Sequence, residues 1–262
     1  MKTTGFVLLC LLFSCSPHGD NHKPIVFTNI GYNTKSLFIF EVNRSDSNSN
    51  HMGKDTLGLF CTDLDHPRCV GQKYCQWEFL AMKNGTYRLN EHKCIAGDEW
   101  DAIKTCDSEL FLHPARERYQ VLQFCPYPYF KSHIKIGSKW TWIFKVGKVW
   151  AIDSLYPIKA NEPITISTEY QLKNTETVST VFGKLPCYHV EGISSFVYGH
   201  SYSTFYLNED YGLVHFKSKT TQGITYDFTL IKKVSGIDSM KFNGYYDYMY
   251  KRAYGMKPFQ LN

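Results

Sequence analysis

Hydrophobic and polar residues alternate along the second half of the chain. Trp140, Trp142 and Phe144 fall on every second position, and so do the apolar residues between positions 164 and 172 and between 224 and 230. A period of two predicts β-strands that bury one face. Because no long helical pattern lies between them, we expect a mainly β fold, an antiparallel meander that forms a curved sheet, a sandwich or a partial barrel.

The same criteria predict the remaining elements. In the second half, further strands are expected at residues 149–153, 178–182, 187–191, 204–207 and 213–217, with turns at 147–148, 173–174, 208–210 and 222–223. In the first half, strands are expected at 36–42, 75–82 and 118–124, a polar loop at 45–50, and a short helix at 98–105.

A change of character near residues 126–138 predicts a domain boundary. The run Pro126-Tyr127-Pro128-Tyr129 interrupts the strand pattern, and the density of cysteines drops after it. The expected segments are a signal peptide at 1–14, a lipidated tether at 15–35, a cysteine-rich β-containing module at 36–130, an antiparallel β-domain at 131–237 and a Tyr-rich tail at 238–262.

The first fourteen residues predict an export leader. Lys2 precedes an apolar stretch at residues 6–13, which is far shorter than the roughly twenty residues of a membrane span. The leader closes with Leu12-Phe13-Ser14-Cys15, which resembles the lipobox of bacterial lipoproteins. That resemblance implies transfer of a diacylglyceryl group to the Cys15 thiol, cleavage before Cys15, and acylation of the new amino terminus, such as by palmitate. Several acyl chains would anchor the protein to a membrane.

The residue after the lipidated cysteine, Ser16, is by the same resemblance compatible with sorting to the outer membrane of a Gram-negative cell. Two alternatives stay open for the leader. The first is an ordinary secretory signal with a chance cysteine. The second is a secreted eukaryotic glycoprotein, since triplets beginning at Asn43 and Asn84 fit the N-glycosylation pattern.

Charge argues against nucleic acid as a partner. The chain of 262 residues has 29 Lys and Arg against 24 Asp and Glu, a formal net charge of +5. No run of five like charges occurs, so nothing resembles a surface that follows a phosphate backbone.

The cysteine pattern predicts a disulfide framework. The chain has nine cysteines, of which Cys10 lies in the leader and Cys15 is the lipidation candidate. Six of the others cluster in the first half: Cys61, Cys69, Cys75, Cys94, Cys106 and Cys125. In an exported protein such a cluster indicates disulfides, although spacing alone leaves fifteen pairings open. Cys187 has no local partner and is expected to be a buried thiol.

A metal-dependent exported hydrolase is the competing hypothesis. It would use Asp63, Asp65 and His66, which lie among the cysteines. Within the cysteine cluster at residues 61–125, the paired Cys-x2-Cys and His-x3-His spacings that are typical of zinc sites are missing. The common catalytic and nucleotide-binding motifs are missing from the sequence. We therefore favour disulfides over a metal, and expect neither a catalytic residue nor a cofactor.

Three strand motifs resemble a bacterial family. They are the runs at residues 137–142 (GSKWTW), 178–190 (VSTVFGKLPCYHV) and 205–214 (FYLNEDYGLV). In this order they resemble motifs of the DUF3108 and TapB-like group of envelope lipoproteins, over roughly residues 136–233. The resemblance implies a curved antiparallel sheet related to periplasmic lipoprotein carriers, and no established reaction.

Aromatic residues are the one compositional excess, with 19 Tyr, 18 Phe and 5 Trp. Tyr246 and Tyr250 share a face of the tail if it is helical, although the tail could instead cover an edge of the sheet. With Trp140 and Trp142 they are the candidates for ligand contact. The leading hypothesis is a lipid-anchored envelope protein with a non-enzymatic binding or structural role. Its partner would be an apolar ligand, a glycan or a protein.

Overall fold

The computed structural model describes residue 32 and residues 36–65, 71–83, 86–89, 101–106, 108–148, 152, 154–159 and 162–235. Thirteen strands and a 3-10 helix (Glu117–Phe124) lie within these ranges. The strands are β1 (Ser36–Ser45), β2 (His51–Asp65), β3 (Lys73–Lys83), β4 (Thr86–Leu89), β5 (Asp101–Thr105), β6 (Glu109–Leu112), β7 (Tyr129–Lys131), β8 (Lys139–Val146), β9 (Ile164–Thr180), β10 (Gly183–Phe196), β11 (Gly199–Asn208), β12 (Gly212–Lys219) and β13 (Thr225–Ser235). No helix in the described part of the chain has the length and apolarity that crossing a membrane requires.

The strands form one antiparallel sheet, which confirms the predicted fold class. The order is β7-β6-β5-β3-β2-β1-β13-β12-β11-β10-β9-β8, and β4 pairs with β3 outside this path. The meander from β8 to β13 joins the first half of the chain through β1, which pairs with β13 on one side and β2 on the other. Strands from both sides of residue 130 therefore belong to the same sheet.

The sheet curls until side chains from its two ends touch. Phe111 on β6 and Trp142 on β8 lie near opposite ends of the strand order, yet their ring centroids are 5.1 Å apart. Phe130 on β7 likewise packs against Phe205 on β11 at 5.6 Å. The sheet thus nearly closes around an interior, as the predicted partial barrel requires.

Aromatic side chains fill this interior. Phe216 on β12 stacks on Phe228 on β13 with ring centroids 4.1 Å apart, and Trp77 on β3 lies 6.1 Å from Phe228. Phe40 on β1 contacts both Trp77 and Phe216. The face predicted for residues 164–172 is buried as expected, at alternate positions. One hydrophobic core therefore joins strands from the two halves of the chain.

A stretch of chain without strand partners passes through this core. It comprises the 3-10 helix and residues 125–128, and its residues Phe124, Cys125 and Tyr127 are at most 3% exposed. We call residues 117–128 the interior segment. The predicted strand at 118–124 was wrong, because this stretch is surrounded by side chains instead of pairing with a neighbouring strand. Residues 126–128 of the run that predicts a domain boundary belong to this buried segment, and Tyr129 begins β7.

Buried backbone needs hydrogen-bond partners, and the sheet supplies them. Each proline of the segment lacks an N–H, which removes a donor that would otherwise need a partner. Four backbone carbonyl oxygens between residues 124 and 128 accept hydrogen bonds from the sheet. The donors are Ser201 Oγ to Phe124 (2.6 Å), Ser203 Oγ to Pro126 (3.1 Å), the Tyr170 hydroxyl to Tyr127 (3.0 Å) and the Leu112 N–H to Pro128 (3.0 Å).

A buried carboxylate holds the other end of the segment. Asp55 on β2 accepts a hydrogen bond from the Tyr119 hydroxyl at 2.8 Å. Arg118 lies 3.3 Å from the same carboxylate, and Arg44 on β1 lies 3.7 Å from it. The two guanidinium groups balance the charge of Asp55, whose side chain is 2% exposed. The 3-10 helix is thereby fixed to β1 and β2.

The structure differs from the local predictions at other places as well. Strand β2 was missed because residues 57–62 are buried on both faces, so the hydrophobic pattern does not alternate. The predicted helix at 98–105 was wrong, since residues 101–105 form β5 and pair with β3 and β6. The turn predicted at Lys173 and Asn174 is a bulge, because β9 continues through it and its register with β10 shifts by one residue there.

Candidate functional site

A cleft opens where β6 approaches β8, beside the interior segment. Its volume is about 220 Å³. The lining residues are Phe111, His113, Arg116, Gln123, Tyr127, Trp142, Phe144, Lys145 and Val146. They come from β6 and the loop after it, from the interior segment, and from β8. The cleft therefore exists only because the two ends of the sheet meet.

Aromatic rings form the walls of the cleft. Trp142 stacks on Phe144 with ring centroids 4.4 Å apart, and Tyr127 lies 5.2 Å from Trp142 and 5.0 Å from Phe144. Phe111 contacts Trp142 edge-on from the opposite strand. Trp142, Phe144 and Phe111 are half-buried, so part of each ring faces the cleft. Such walls favour a flat or apolar ligand.

The amide of Gln123 is the most informative polar group of the cleft. Its side chain is buried, with 4% exposure. Its Oε1 accepts a hydrogen bond from the Tyr127 hydroxyl at 2.5 Å. Its Nε2 finds no hydrogen-bond partner among the described residues. A buried donor without a partner costs about 1–3 kcal/mol, so a ligand that accepts from it would recover that free energy.

Two basic residues, Arg116 and Lys145, also line the cleft. Arg116 precedes the 3-10 helix, and Lys145 lies on β8 at the exposed side of the cleft. His113 is positioned through its backbone, because the Trp77 indole N–H donates to the His113 carbonyl oxygen at 2.9 Å. No carboxylate occurs among the described residues that line the cleft.

The aromatic candidates from the sequence are placed differently. Trp142 lines the cleft, whereas Trp140, two residues earlier on the same face, stacks on buried Tyr170 at 5.4 Å and lies outside it. Tyr246 and Tyr250 lie outside the described residues. Sequence reasoning did not single out the other lining residues. The only local signal was the proline-flanked Tyr127.

The cysteine candidates are spread over the core and its edge. Cys61 on β2 and Cys75 on β3 are direct partners in the antiparallel register, and both are buried. Cys125 is buried in the interior segment, and Cys106 lies at the turn between β5 and β6. The other candidates, Cys69, Cys94 and the lipidation candidate Cys15, lie outside the described residues. No disulfide joins the described cysteines, so the framework stays a prediction.

The environments of these thiols differ. Burial raises the pKa of the Cys125 thiol to about 12 and that of Cys187 to about 11. Cys187 is thus the buried thiol that the sequence predicts. Partial burial opposes ionisation of Cys106 as well, but hydrogen bonds with Ser108 and the charge of Lys104 outweigh it and lower the pKa of that thiol.

The residues of the hydrolase hypothesis do not form a site in the described part of the chain. Asp65 is exposed and forms an ion pair with Lys73 at 2.8 Å, and Asp63 is also exposed. His66 lies outside the described residues. Within those residues no group of three His, Cys, Asp or Glu side chains is arranged to hold a metal ion. The metal-dependent alternative stays a prediction.

Comparison with known proteins gives similarity of fold only. No family model and no curated protein matches the chain. Three solved structures resemble it. The hypothetical lipoprotein YmcC from Escherichia coli is 12% identical over 78% of this chain and 89% of its own, with a TM-score of 0.35. A protein from Bacteroides fragilis, described as exported and YmcC-like in fold, is 11% identical over 81% of this chain and 100% of its own, with a TM-score of 0.42. A protein from Parabacteroides distasonis, described as a lipoprotein, is 9% identical over 81% of this chain and 100% of its own, with a TM-score of 0.43.

At TM-scores below 0.5 these likenesses support no inference about function. The resemblance of residues 136–233 to the DUF3108 and TapB-like group likewise stays a prediction, because no family model matches the chain.

Proposed function

We propose that the protein is a lipid-anchored envelope protein with a non-enzymatic binding role, and that the cleft beside Trp142 is its binding site. The observation that carries the binding site is the Gln123 side chain: Gln123 lines the cleft, and its buried Nε2 has no hydrogen-bond partner among the described residues. A fold gains little from burying such a donor, whereas a ligand-binding site uses it to orient its ligand.

The anchor is proposed from the leader. The lipobox-like run that ends at Cys15 supports acylation, and the polar residues 16–24, with two prolines, support a tether between the membrane and the sheet. The proposed location is the outer membrane of a Gram-negative cell. A binding cleft on an anchored protein would meet its ligand in the envelope.

The groups that line the cleft are those of a recognition site. Aromatic rings from β6, β8 and the interior segment supply contact area with little loss of side-chain freedom. The polar side chain of Gln123 among these rings would fix the orientation of a ligand. The interior segment holds Gln123 and Tyr127 rigidly, because its backbone is bonded to the sheet.

A matched pair of tryptophan variants tests the binding site. Purified protein is titrated by calorimetry with two flat probes, 2-naphthoate and its neutral analogue 2-naphthylmethanol. We expect at least one probe to bind the native protein. Trp142→Ala should abolish that binding, because Trp142 forms a wall of the cleft.

The control is Trp140→Phe, which keeps an aromatic ring against Tyr170 outside the cleft and should bind like the native protein. Circular dichroism shows whether each variant is folded. A folded Trp142→Ala protein that binds as well as the native one, or a native protein that binds neither probe, would count against the cleft.

A further inference from the structure

We infer that the open edge of β8 pairs with an extended, acidic strand of a partner protein, whose inward side chains enter the cleft. The inference rests on the proposed function, because it names the class of partner that the same cleft receives. Three features of the described residues lead to it: the unpaired backbone of the edge, the side chains along it, and the position of the cleft beside it.

The strand β8 is the last of the sheet, so only one of its edges is paired. Its partner is β9, and no hydrogen bond within the described part of the chain joins its other edge to a strand. The Leu172 N–H donates to the Ser138 carbonyl oxygen at 3.0 Å, which sets the alternation of the ladder that follows. Because bonded and unbonded pairs alternate, Trp142 bonds to β9, whereas Thr141 and Ile143 point their N–H and C=O groups to the open edge. A polypeptide in an extended conformation matches such a row of donors and acceptors.

The side chains of β8 indicate the charge of that partner. On the outward face, exposed Lys139 and Lys145 lie near the two ends of the strand, and Thr141 and Ile143 lie between them. No ion pair within the described residues engages either lysine. Natural proteins protect an open edge with charges or prolines, but the middle of this edge has neither. A strand with an acidic residue near each end would pair with both lysines.

The cleft lies along the same edge. Trp142 and Phe144 point inward from β8 and line the cleft, and Phe111 on β6 faces them across the opening between the ends of the sheet. A strand added to β8 would lie at this opening, because neighbouring strands are about 4.8 Å apart. Its side chains would alternate between the two faces, so those opposite Trp142 and Phe144 would enter the cleft. The expected sequence therefore alternates apolar residues that face inward with polar ones that face outward.

The probe is a heptapeptide of this pattern, Glu-Val-Thr-Val-Thr-Val-Glu with blocked termini, titrated by calorimetry into the purified protein. The comparison peptide, Lys-Val-Thr-Val-Thr-Val-Lys, differs only at its ends. We expect the native protein to bind the acidic peptide about tenfold more tightly than the basic one. Combining Lys139→Glu with Lys145→Glu should reverse this preference.

Ile143→Pro tests the pairing of the backbone. Proline removes the N–H that points to the open edge, leaves the bonds between β8 and β9 in place, and is tolerated on edge strands. It should weaken binding of the acidic peptide about tenfold or more, while a naphthyl probe still binds the cleft. Ile143→Ala is the matched control, since it shortens the same side chain but keeps the N–H, and it should bind the peptide far more tightly than Ile143→Pro. If Ile143→Pro does not fold, the exchange of the two lysines decides.

The outcomes separate the inference from the proposed function. Binding of a naphthyl probe but of neither peptide would overturn the inference and leave the cleft as a binding site. Binding of no probe of either kind would contradict the proposed function, and the inference with it. Peptide binding that is unchanged in both folded variants would place the peptide elsewhere and overturn the inference. A native dimer that Ile143→Pro separates, measured by analytical ultracentrifugation, would show that a second copy of the chain occupies the edge, and would also overturn it.

Discussion

The hydroxyl of Ser203 on β11 donates a hydrogen bond to the carbonyl oxygen of Pro126, 3.1 Å away in the interior of the curved sheet. The Ser218 hydroxyl on β12 lies 2.8 Å from Ser203 Oγ and completes a short chain of hydrogen bonds. A sheet interior is usually filled by side chains alone. Here small hydroxyl residues make room for a stretch of backbone and bind it.

Removing the Ser203 hydroxyl should therefore destabilise the protein. Ser203→Ala leaves the buried Pro126 carbonyl without this donor and Ser218 without its acceptor. We expect the free energy of unfolding to fall by about 1–3 kcal/mol, measured by urea denaturation.

An exposed serine of the same sheet provides the control. Ser179 lies near the end of β9 and is exposed to solvent. Ser179→Ala should change the free energy of unfolding by less than about 0.5 kcal/mol. Equal effects of the two substitutions would mean that the Ser203 bond does not hold the interior segment.

Gly192 on β10 lies where the interior segment packs tightly against the sheet. A Cβ added at Gly192 would lie 2.7 Å from Pro126 Cβ and 3.1 Å from the Tyr170 ring. Gly192→Ala should destabilise the protein by about 1–3 kcal/mol, because the core is overpacked there. Thermal and urea unfolding measure the change.

Gly147, between β8 and the following loop, is the matched control. A Cβ added there would meet nothing within 4 Å. Gly147→Ala should be close to neutral. If Gly192→Ala is tolerated equally well, the interior segment does not pack against β10 as described.

Sequence patterns predicted the sheet well where only one of its faces is buried. In β8 and β9 the apolar residues alternate with polar ones, and the buried face is the predicted one. The turn after Asn208 was also predicted correctly, since the Asn208 side chain accepts hydrogen bonds from the backbone N–H groups of Asp210 and Tyr211. Local chemistry determines these features, and so a sequence reveals them.

The cleft and the interior segment could not be predicted in the same way. Gln123 and Trp142 line the same cleft only because the ends of the sheet approach each other, and no local pattern encodes that arrangement. The prolines beside Tyr127 are typical of exposed linkers. Only the distant donors Ser203 and Tyr170 make this backbone stable in the interior. Long-range contacts of this kind override the local pattern.

Acid should weaken the edge of the sheet near β6. Partial burial opposes ionisation of Glu109, but hydrogen bonds from Lys104 (2.6 Å) and the Tyr129 hydroxyl (2.8 Å) outweigh it and lower the pKa of the carboxyl below 4.5. Because the pKa of Glu109 is lower in the folded protein than in the unfolded chain, its charged form stabilises the fold at pH values above the ordinary pKa. This stabilisation is lost as the pH falls through the pKa of the folded protein.

The measurement compares native protein with Glu109→Gln by urea unfolding across the acidic range. Native protein should be the more stable at neutral pH, and the difference should shrink as the pH falls below about 4.5. A difference that is independent of pH would show that the charge of Glu109 contributes nothing.

The register of β2 and β3 indicates which cysteines would pair first. Cys61 lies directly opposite Cys75, whereas Cys125 lies in the interior segment. In an oxidising compartment, exchange with a disulfide donor would join the two thiols, which lose two hydrogens while the donor is reduced. We expect peptide mapping without reductant to recover Cys61 linked to Cys75. Complete alkylation of both residues in unfolded, unreduced protein would contradict this pairing.

The proposed role depends on a lipid anchor at Cys15. The intact mass and the N-terminal sequence of the protein, extracted with detergent from its native membrane fraction, test for that anchor. We expect a mass equal to residues 15–262 plus acyl chains, and an amino terminus blocked by acylation. A soluble chain with an unmodified amino terminus would contradict the lipid anchor, and would favour the secreted alternatives.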